Sequence, residues 1–211
     1  MKISKGTRIT VLVVLLLIVD QVIKILVKTR MSIGQSIHVA GDWFQILFIE
    51  NNGMAFGLQF GENWGKLVLS LCRLVLIVLI VLYLRKLLKR PGTPRGVLIG
   101  LAAILCGAIG NMIDSMFYGL IFSASGPDTV AMLGGSYAPL FYGKVVDMFY
   151  FPIIDTTLPA NFPIWGGRHV IFFRPIFNFA DSCITCGAIY LLLFQWKFFA
   201  KNEKETVGDK V

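Results

Sequence analysis

The chain has 211 residues, of which 56% are hydrophobic and only 15% are charged, and its mean hydropathy is +0.73. Soluble domains carry about 25% charged residues, so this composition excludes an ordinary soluble enzyme and predicts a membrane protein. The net charge of +8 does not indicate nucleic acid as a partner, because the basic residues cluster in alternate connections between apolar runs.

Four apolar segments are each long enough to cross a bilayer, which takes about 20 helical residues. We predict an all-α membrane protein with one membrane-embedded domain over residues 1–211 and spanning helices at about 8–27, 66–84, 96–118 and 170–199. Basic residues before the first helix, after the second and after the fourth place both termini in the cytoplasm. Residues 28–65 and 119–169 are then outer segments, and 200–211 form a cytoplasmic tail.

The two outer segments differ in composition. The stretch SIHVAGDWFQILFIE is rich in β-branched and aromatic residues and precedes the turn signal NNG, which predicts a small extracytoplasmic β-sheet. The segment 119–169 is dense in aromatic residues, which favour the headgroup level of a bilayer. We expect this segment to lie at the membrane interface, with an ordinary folded loop as the alternative.

Polar residues interrupt every predicted helix in its outer half. They are Asp20 and Lys24 in the first, Arg73 in the second, Asn111 and Asp114 in the third, and Asn178 and Asp181 in the fourth. Charged groups at such depth are costly and mark functional sites. Small residues at positions 96, 100, 103, 107 and 110 share the face of Asn111, so another helix is expected to approach closely there.

Two carboxylates in one poorly hydrated place cannot both ionise, so they can act as an acid beside a base, as in aspartic proteases. Asp147, in KVVDMFY, can approach the level of these residues from outside. Structural roles stay open as alternatives: an ion pair of Asp20 with Lys24, a helix end or loop amide held by Asp114, and an ion pair of Asp147 with Lys144.

The sequence predicts no metal and no cofactor. His38 and His169 are expected at the surface, and no cluster of ligand-type residues has the spacing of a metal site. Cys183 and Cys186 form a CxxC pair, but on an apolar helix without a second such pair we interpret them as packing residues.

Five short motifs, in order along nearly the full length, resemble those of lipoprotein signal peptidase (signal peptidase II), the bacterial membrane aspartic protease. They are DQVIK with Asp20 and Lys24, NNGMAFGL with Asn51 and Gly53, GNMIDS with Asn111 and Asp114, VVDM with Asp147, and FNFADS with Asn178 and Asp181. The chain departs from the family pattern at Met54, which replaces an Ala, and at Ser115, which replaces an Arg. Residues 151–167 look like an added outer loop, in which Asp155 is a rival acid.

The resemblance implies an endopeptidase of the bacterial inner membrane, acting near its outer face. It would remove signal peptides from diacylglyceryl-modified prolipoproteins, cleaving just before the lipidated cysteine. By motif position, Asp147 and Asp181 would be the catalytic pair. Substrate-binding or supporting roles would fall to Asp20, Lys24, Asn51, Gly53, Asn111, Asp114 and Asn178, with Arg73 or Lys24 replacing the family arginine. The resemblance also implies contact with membrane lipids and inhibition by globomycin-type compounds; a monomer is the default.

Two other classes of function remain as alternatives. A small proton- or cation-coupled transporter would bind its ion with intramembrane Asp and Asn, but it needs polar groups through both leaflets. The inner halves of the predicted helices are nearly devoid of them, which favours chemistry at one face. In a non-enzymatic assembly factor, the polar residues would only hold helices together.

Overall fold

The computed structural model describes residues 4–52, 64–157, 159–163, 166–172 and 175–200. The chain is mostly helical and contains a small antiparallel sheet. It divides into two compact units. The helical unit comprises Met1–Gln21, Gln59–Ile113 and Phe179–Val211, and the sheet unit comprises Val22–Leu58 and Asp114–Asn178.

Within the described residues, three helical segments are long and apolar enough to cross a membrane. They are α1 (Lys5–Arg30), α2 (Trp64–Lys89) and the segment Arg95–Ile121, which consists of α3 (Arg95–Ile113), a π-helical turn (Asp114–Tyr118) and the short α4 (Gly119–Ile121). They correspond to the first three predicted spans. At about 1.5 Å per residue, each exceeds the roughly 30 Å of a hydrocarbon core.

The fourth apolar helix, α5, is shorter than predicted. It comprises the 16 residues Phe179–Phe194, whereas we predicted a helix from residue 170. The residues before it form two strands, β5 (His169–Phe172) and β6 (Ile176–Phe177). The physical reason is local: β-branched and aromatic residues in this stretch favour strands, and Pro175 interrupts a helix because it lacks a backbone N–H.

In the helical unit, α3 packs closely on α5, as its stripe of small residues predicted. A Cβ at Gly100 would lie 2.6 Å from Leu191 Cδ2, and one at Gly187 would lie 2.8 Å from the backbone oxygen of Gly100. Glycine therefore permits the short distance between the helices. Cys183 is buried in the same apolar core, which agrees with its interpretation as a packing residue, whereas Cys186 is exposed.

The sheet unit contains a four-stranded antiparallel sheet in the order β1–β2–β3–β6. Its strands are β1 (Ser36–Ala40), β2 (Phe44–Asn51), β3 (Val145–Tyr150) and β6. The strands predicted within residues 28–65 are confirmed as the hairpin β1–β2. Strand β3 was not predicted, since the aromatic content of 119–169 was interpreted as interfacial, although VVDMFY has the β-branched and aromatic composition of a strand.

A second, two-stranded sheet pairs β4 (Ile154–Thr157) with β5 in antiparallel register. Both strands belong to the region around the predicted added loop at 151–167. Asp155 lies in β4 opposite Ile171.

Candidate active site

Asp147 lies in the middle of β3, and only 3% of its surface is exposed. Its Oδ1 accepts a hydrogen bond from Asn178 Nδ2 at 2.7 Å, and its Oδ2 accepts one from Asn51 Nδ2 at 3.1 Å. Asn51 ends β2, which pairs with one edge of β3, and Asn178 follows β6, which pairs with the other edge. The two neighbouring strands thus each supply an amide that orients one carboxylate oxygen. Such an amide bond fixes the orientation of a carboxyl group, and it is stronger when the carboxyl group is ionised.

A buried ion pair in the sheet unit holds the backbone beside Asp147. Lys24 Nζ lies 2.9 Å from Asp114 Oδ2, and both side chains are fully buried. The same oxygen accepts a hydrogen bond from the backbone N–H of Val146 at 3.3 Å. Asp114 therefore fixes the π-helical turn to β3, which confirms the backbone-holding role that the sequence left open for it.

Gly143, just before β3, packs directly against the backbone of the π-helical turn. Its N–H donates to the backbone oxygen of Ser115 at 2.9 Å. A Cβ at Gly143 would overlap the backbone oxygen of Asp114 and lie 2.9 Å from the backbone nitrogen of Gly119. A side chain here would therefore push the start of β3 away from the turn. Ser115 itself is 2% exposed, so the position of the missing family arginine is buried.

Asp181 lies in the first turn of α5, in the helical unit. Its Oδ1 accepts a hydrogen bond from Asn111 Nδ2 at 2.7 Å. The backbone oxygen of Asn111 in turn accepts from Arg73 Nη1 at 3.5 Å. Arg73 thus supports the last turn of α3, from which the amide reaches Asp181.

Asp20 fixes the N-terminus of α5. Its Oδ1 accepts from the backbone N–H of Ala180 at 2.9 Å, one of the N–H groups that have no acceptor within a helix. Its Oδ2 accepts from Gln21 Nε2 at 3.0 Å, and Gln21 also donates to the backbone oxygen of Gly110 at 3.3 Å. A carboxylate is favourable at a helix N-terminus. Asp20 therefore determines where the helix that carries Asp181 begins.

The sequence did not reveal an ionic cluster around the buried Glu50 in the sheet unit, in which Lys28 is buried and Lys144 is partly exposed. Lys28 Nζ lies 2.5 Å from Glu50 Oε1, and Lys144 Nζ lies 3.1 Å from Glu50 Oε2. Ser125 Oγ accepts from Lys28 at 3.0 Å and donates to Glu50 at 2.9 Å. Burial by itself raises the pKa of Glu50, but the hydrogen bond and charge of Lys28, with the hydrogen bonds from Lys144 and Ser125, outweigh it. The pKa is therefore lowered below its usual value of 4.5. For Lys144, the sequence had left Asp147 as an ion-pair partner; the structure pairs it with Glu50.

Tyr137 completes this Glu50 cluster. The Nζ atoms of Lys28 and Lys144 lie 4.9 and 6.0 Å from its ring centroid, within the range of cation–π attraction. Burial raises the pKa of Tyr137, and the negative charge of Glu50 adds to the effect. Because Glu50 directly precedes Asn51, the cluster fixes the strand end that presents an amide to Asp147. The sequence did contain a sign of this cluster, because Lys28 follows Lys24 by one helical turn and so lies on the same face of α1.

Some of the remaining predicted residues lie outside the part of the chain that the structure describes. Gly53 and Met54, with most of NNGMAFGL, lie outside the described residues, and so does the side chain of Asp155. His38 and His169 are exposed, as predicted. Over the described part of the chain, no three His, Cys, Asp or Glu side chains form a group that could hold a metal ion.

Apolar spanning helices combined with a small sheet and oriented, buried carboxylates are the features of a membrane enzyme. Two solved structures, both described as a bacterial membrane enzyme structure by the in meso method, at 2.3 and 1.9 Å resolution, share this fold. The first has a TM-score of 0.60 at 22% identity and covers 92% of this chain and 90% of that one. The second has a TM-score of 0.56 at 22% identity and covers 88% and 90%.

Sequence comparison identifies the family. The family model described as Signal peptidase (SPase) II matches residues 12–197. A lipoprotein signal peptidase of Porphyromonas gingivalis is 50% identical over 194 residues, covering 91% of this chain and 84% of the relative. One from Amoebophilus asiaticus is 36% identical over 181 residues, covering 85% and 73%. The chain therefore belongs to the signal peptidase II family, a family of aspartic proteases, and is a multi-pass membrane protein. The transporter alternative receives no support.

Proposed function

We propose that this protein removes signal peptides from diacylglyceryl-modified prolipoproteins, cleaving just before the lipidated cysteine, with Asp147 and Asp181 as the catalytic pair. Membership of the signal peptidase II family supports the reaction. The observation that supports these two residues is that each carboxylate accepts a 2.7 Å hydrogen bond from an asparagine amide. Asp147 is bound by Asn178 and Asn51, and Asp181 is bound by Asn111.

Peptide hydrolysis by two carboxyl groups requires one of them ionised and the other protonated. The ionised group takes a proton from water as the water oxygen attacks the scissile carbonyl carbon. The protonated group donates its proton to the carbonyl oxygen. The group that took the proton from water then gives it to the leaving nitrogen, and the C–N bond breaks as one hydroxyl proton of the tetrahedral intermediate returns to the other carboxylate. Each carboxylate oxygen has two lone pairs, so an oxygen of Asp147 that accepts an amide can also accept a bond from water. The amides hold the oxygens in the orientation that this proton transfer needs.

In this proposal, the other motif residues support the catalytic pair. Asp20 sets the start of α5, and Asp114 with Lys24 holds the backbone beside Asp147. Arg73, at the backbone oxygen of Asn111, supplies part of the support that Ser115 cannot give. Gly53 keeps its proposed supporting role on its motif position alone.

We further propose that the chain forms one membrane-embedded peptidase domain with a defined orientation in the membrane. Four helices, including α5, span the bacterial inner membrane, with both termini in the cytoplasm. Basic residues at the start of α1 and at the end of α2 support this orientation by the positive-inside rule. The sheet and the catalytic aspartates then lie near the outer face, with the segment that includes β3 at the membrane interface.

Aromatic rings in the sheet unit offer an apolar surface for the lipidated end of the substrate. Phe44 and Phe151 stack with centroids 4.6 Å apart, and Phe177 lies 5.8 Å from Phe151. Trp43, which is 59% exposed, lies 6.3 Å from Phe151 at the edge of this group. Acyl chains bind such surfaces through burial of apolar area. We propose that the enzyme acts as a monomer and that globomycin-type compounds inhibit it at the same site.

The test is incubation with a purified diacylglyceryl prolipoprotein. Wild-type protein is expected to yield the shortened product, and Asp147→Asn and Asp181→Asn are expected to yield none, because each keeps the side-chain size but removes a proton-transfer group. Asp42→Asn is the matched control, since the side chain of Asp42 is fully exposed. Cleavage by both catalytic-site variants would refute the assigned pair. Asp147→Ala separates the peptidase from the assembly-factor alternative. A peptidase variant should fold and insert normally but cleave no substrate, whereas an assembly factor should lose stability.

A further inference from the structure

A cavity in the helical unit lies away from every residue assigned to catalysis. It has a volume of about 210 Å³ and lies between the N-terminal turns of α1 and α3. Its lining is almost entirely apolar. Ile9, Leu12 and Leu98 contribute to it, and Lys5, Arg8 and Arg95 border it chiefly through their aliphatic stems. An apolar wall beside a group of cations is an amphipathic site, and neither part of it is used by the peptidase reaction.

Among the described residues, no carboxylate neutralises the three cations. Lys5, Arg8 and Arg95 are exposed, and within the described residues none of them forms an ion pair with a carboxylate. Neither α1 nor α3 has an acidic residue in its first turn. Helix N-termini favour negative charge, and cations placed there are repelled. Within the part of the chain that the structure describes, the rim of the cavity therefore carries an excess of positive charge that an anionic ligand would relieve.

The apolar wall distinguishes among anions. Free phosphate would gain from the cations but would leave Ile9 and Leu12 in contact with water. A phospholipid satisfies both parts, with its phosphate at the basic residues and the first part of an acyl chain against the apolar wall. Both helices are long and apolar enough to span a membrane, so their first turns lie at headgroup level. Basic pockets between spanning helices bind anionic headgroups.

We propose that the cavity between the first turns of α1 and α3 binds one anionic phospholipid, with Lys5, Arg8 and Arg95 holding its phosphate and Ile9 and Leu12 contacting its acyl chain. The site is independent of the peptidase reaction. It would make the stability of the helical unit depend on the lipid composition of the leaflet in which α1 and α3 begin.

The experiment places the full-length protein in phosphatidylcholine nanodiscs with and without phosphatidylglycerol. Thermal unfolding measures stabilisation, and native mass spectrometry measures retained lipid. Lys5→Gln/Arg8→Gln/Arg95→Gln is compared with Arg85→Gln/Lys86→Gln/Lys89→Gln, which removes the same charge from exposed positions at the end of α2. Ile9→Trp fills the cavity without changing the charge.

The triple variant in the cavity is expected to weaken phosphatidylglycerol binding about tenfold or more, and Ile9→Trp is expected to weaken it as well. The charge-matched control should stay within about twofold of wild type. Inorganic phosphate added to phosphatidylcholine nanodiscs should not stabilise the protein. Equal losses in the two triple variants would reduce the effect to general surface charge, and stabilisation by phosphate alone would identify a simple anion site; either result would overturn the proposal.

Discussion

Substitution of Asn111 by Ala tests whether an oriented carboxylate at Asp181 is needed for catalysis. The hydrogen bond from Asn111 Nδ2 to Asp181 Oδ1 is 2.7 Å long, which is typical of a bond to a charged acceptor. Such bonds contribute about 1.5–3 kcal/mol. Since about 1.36 kcal/mol of transition-state stabilisation is a factor of ten in rate, we expect kcat to fall between about tenfold and about 150-fold. KM should change little, because Asn111 orients a carboxylate in this proposal.

The assay is cleavage of a diacylglyceryl-cysteine peptide in nanodiscs, with thermal unfolding measured on the same samples. Gln195→Ala is the matched control, because it also removes an amide donor in the helical unit, at Tyr190. Its kcat should stay within about twofold of wild type. Asn111→Asp should lose more than Asn111→Ala, since a second carboxylate beside Asp181 adds repulsion. A wild-type kcat in a stably folded Asn111→Ala variant would refute the positioning argument.

Three further predictions concern the supports of the site. Asp20→Ala should lower the free energy of unfolding by about 1–2 kcal/mol, because it removes the carboxylate that accepts from the first turn of α5; an unchanged unfolding curve would contradict this. Gly143→Ala should lower the unfolding midpoint and the activity, because its Cβ would overlap the backbone at Asp114, whereas Gly126→Ala should be neutral, since its Cβ would meet Thr129 no closer than 3.6 Å. Glu50 has a lowered pKa in the folded protein, so its contribution is present above its unfolded pKa near 4.5 and is lost as the pH falls through the folded value. Glu50→Gln should therefore be less stable at neutral pH and flatter in its acid limb, as thermal unfolding across that range would show.

Periodicity and composition predicted the parts of the fold that depend on local sequence. The hydrophobic runs of α1, α2 and α3 and the β-branched and aromatic composition of β2 need no distant partner to be recognised. Strand β3 was missed because its identity depends on pairing with β2 and β6, which are distant in the chain. Its aromatic residues fit a bilayer interface as well as a sheet, so composition alone could not decide.

The candidate site was predictable as a set of residues and not as a set of contacts. Intramembrane Asp and Asn stand out because their burial is costly, but which donor serves which acceptor depends on tertiary packing. Lys24 pairs with Asp114, a partner far along the chain. The Glu50 cluster was missed for the opposite reason, since Lys28 and Lys144 are ordinary residue types for loops and helix ends. Only the one-turn spacing of Lys24 and Lys28 indicated a shared face.

In both motifs with the sequence Asn-x-x-Asp, the Asn side chain donates a hydrogen bond and the Asp side chain accepts one. In GNMIDS, Asn111 donates to Asp181, while Asp114 accepts from the backbone next to Asp147. In FNFADS, Asn178 donates to Asp147, and Asp181 is itself the acceptor. Each motif thus contributes one neutral donor and one charged acceptor within three residues, and each proposed catalytic carboxylate is bound by a donor from the other part of the chain. FNFADS alone can orient Asp147 through Asn178, but its own Asp181 depends on Asn111 of GNMIDS. Both motifs are therefore needed to orient the two proposed catalytic carboxylates.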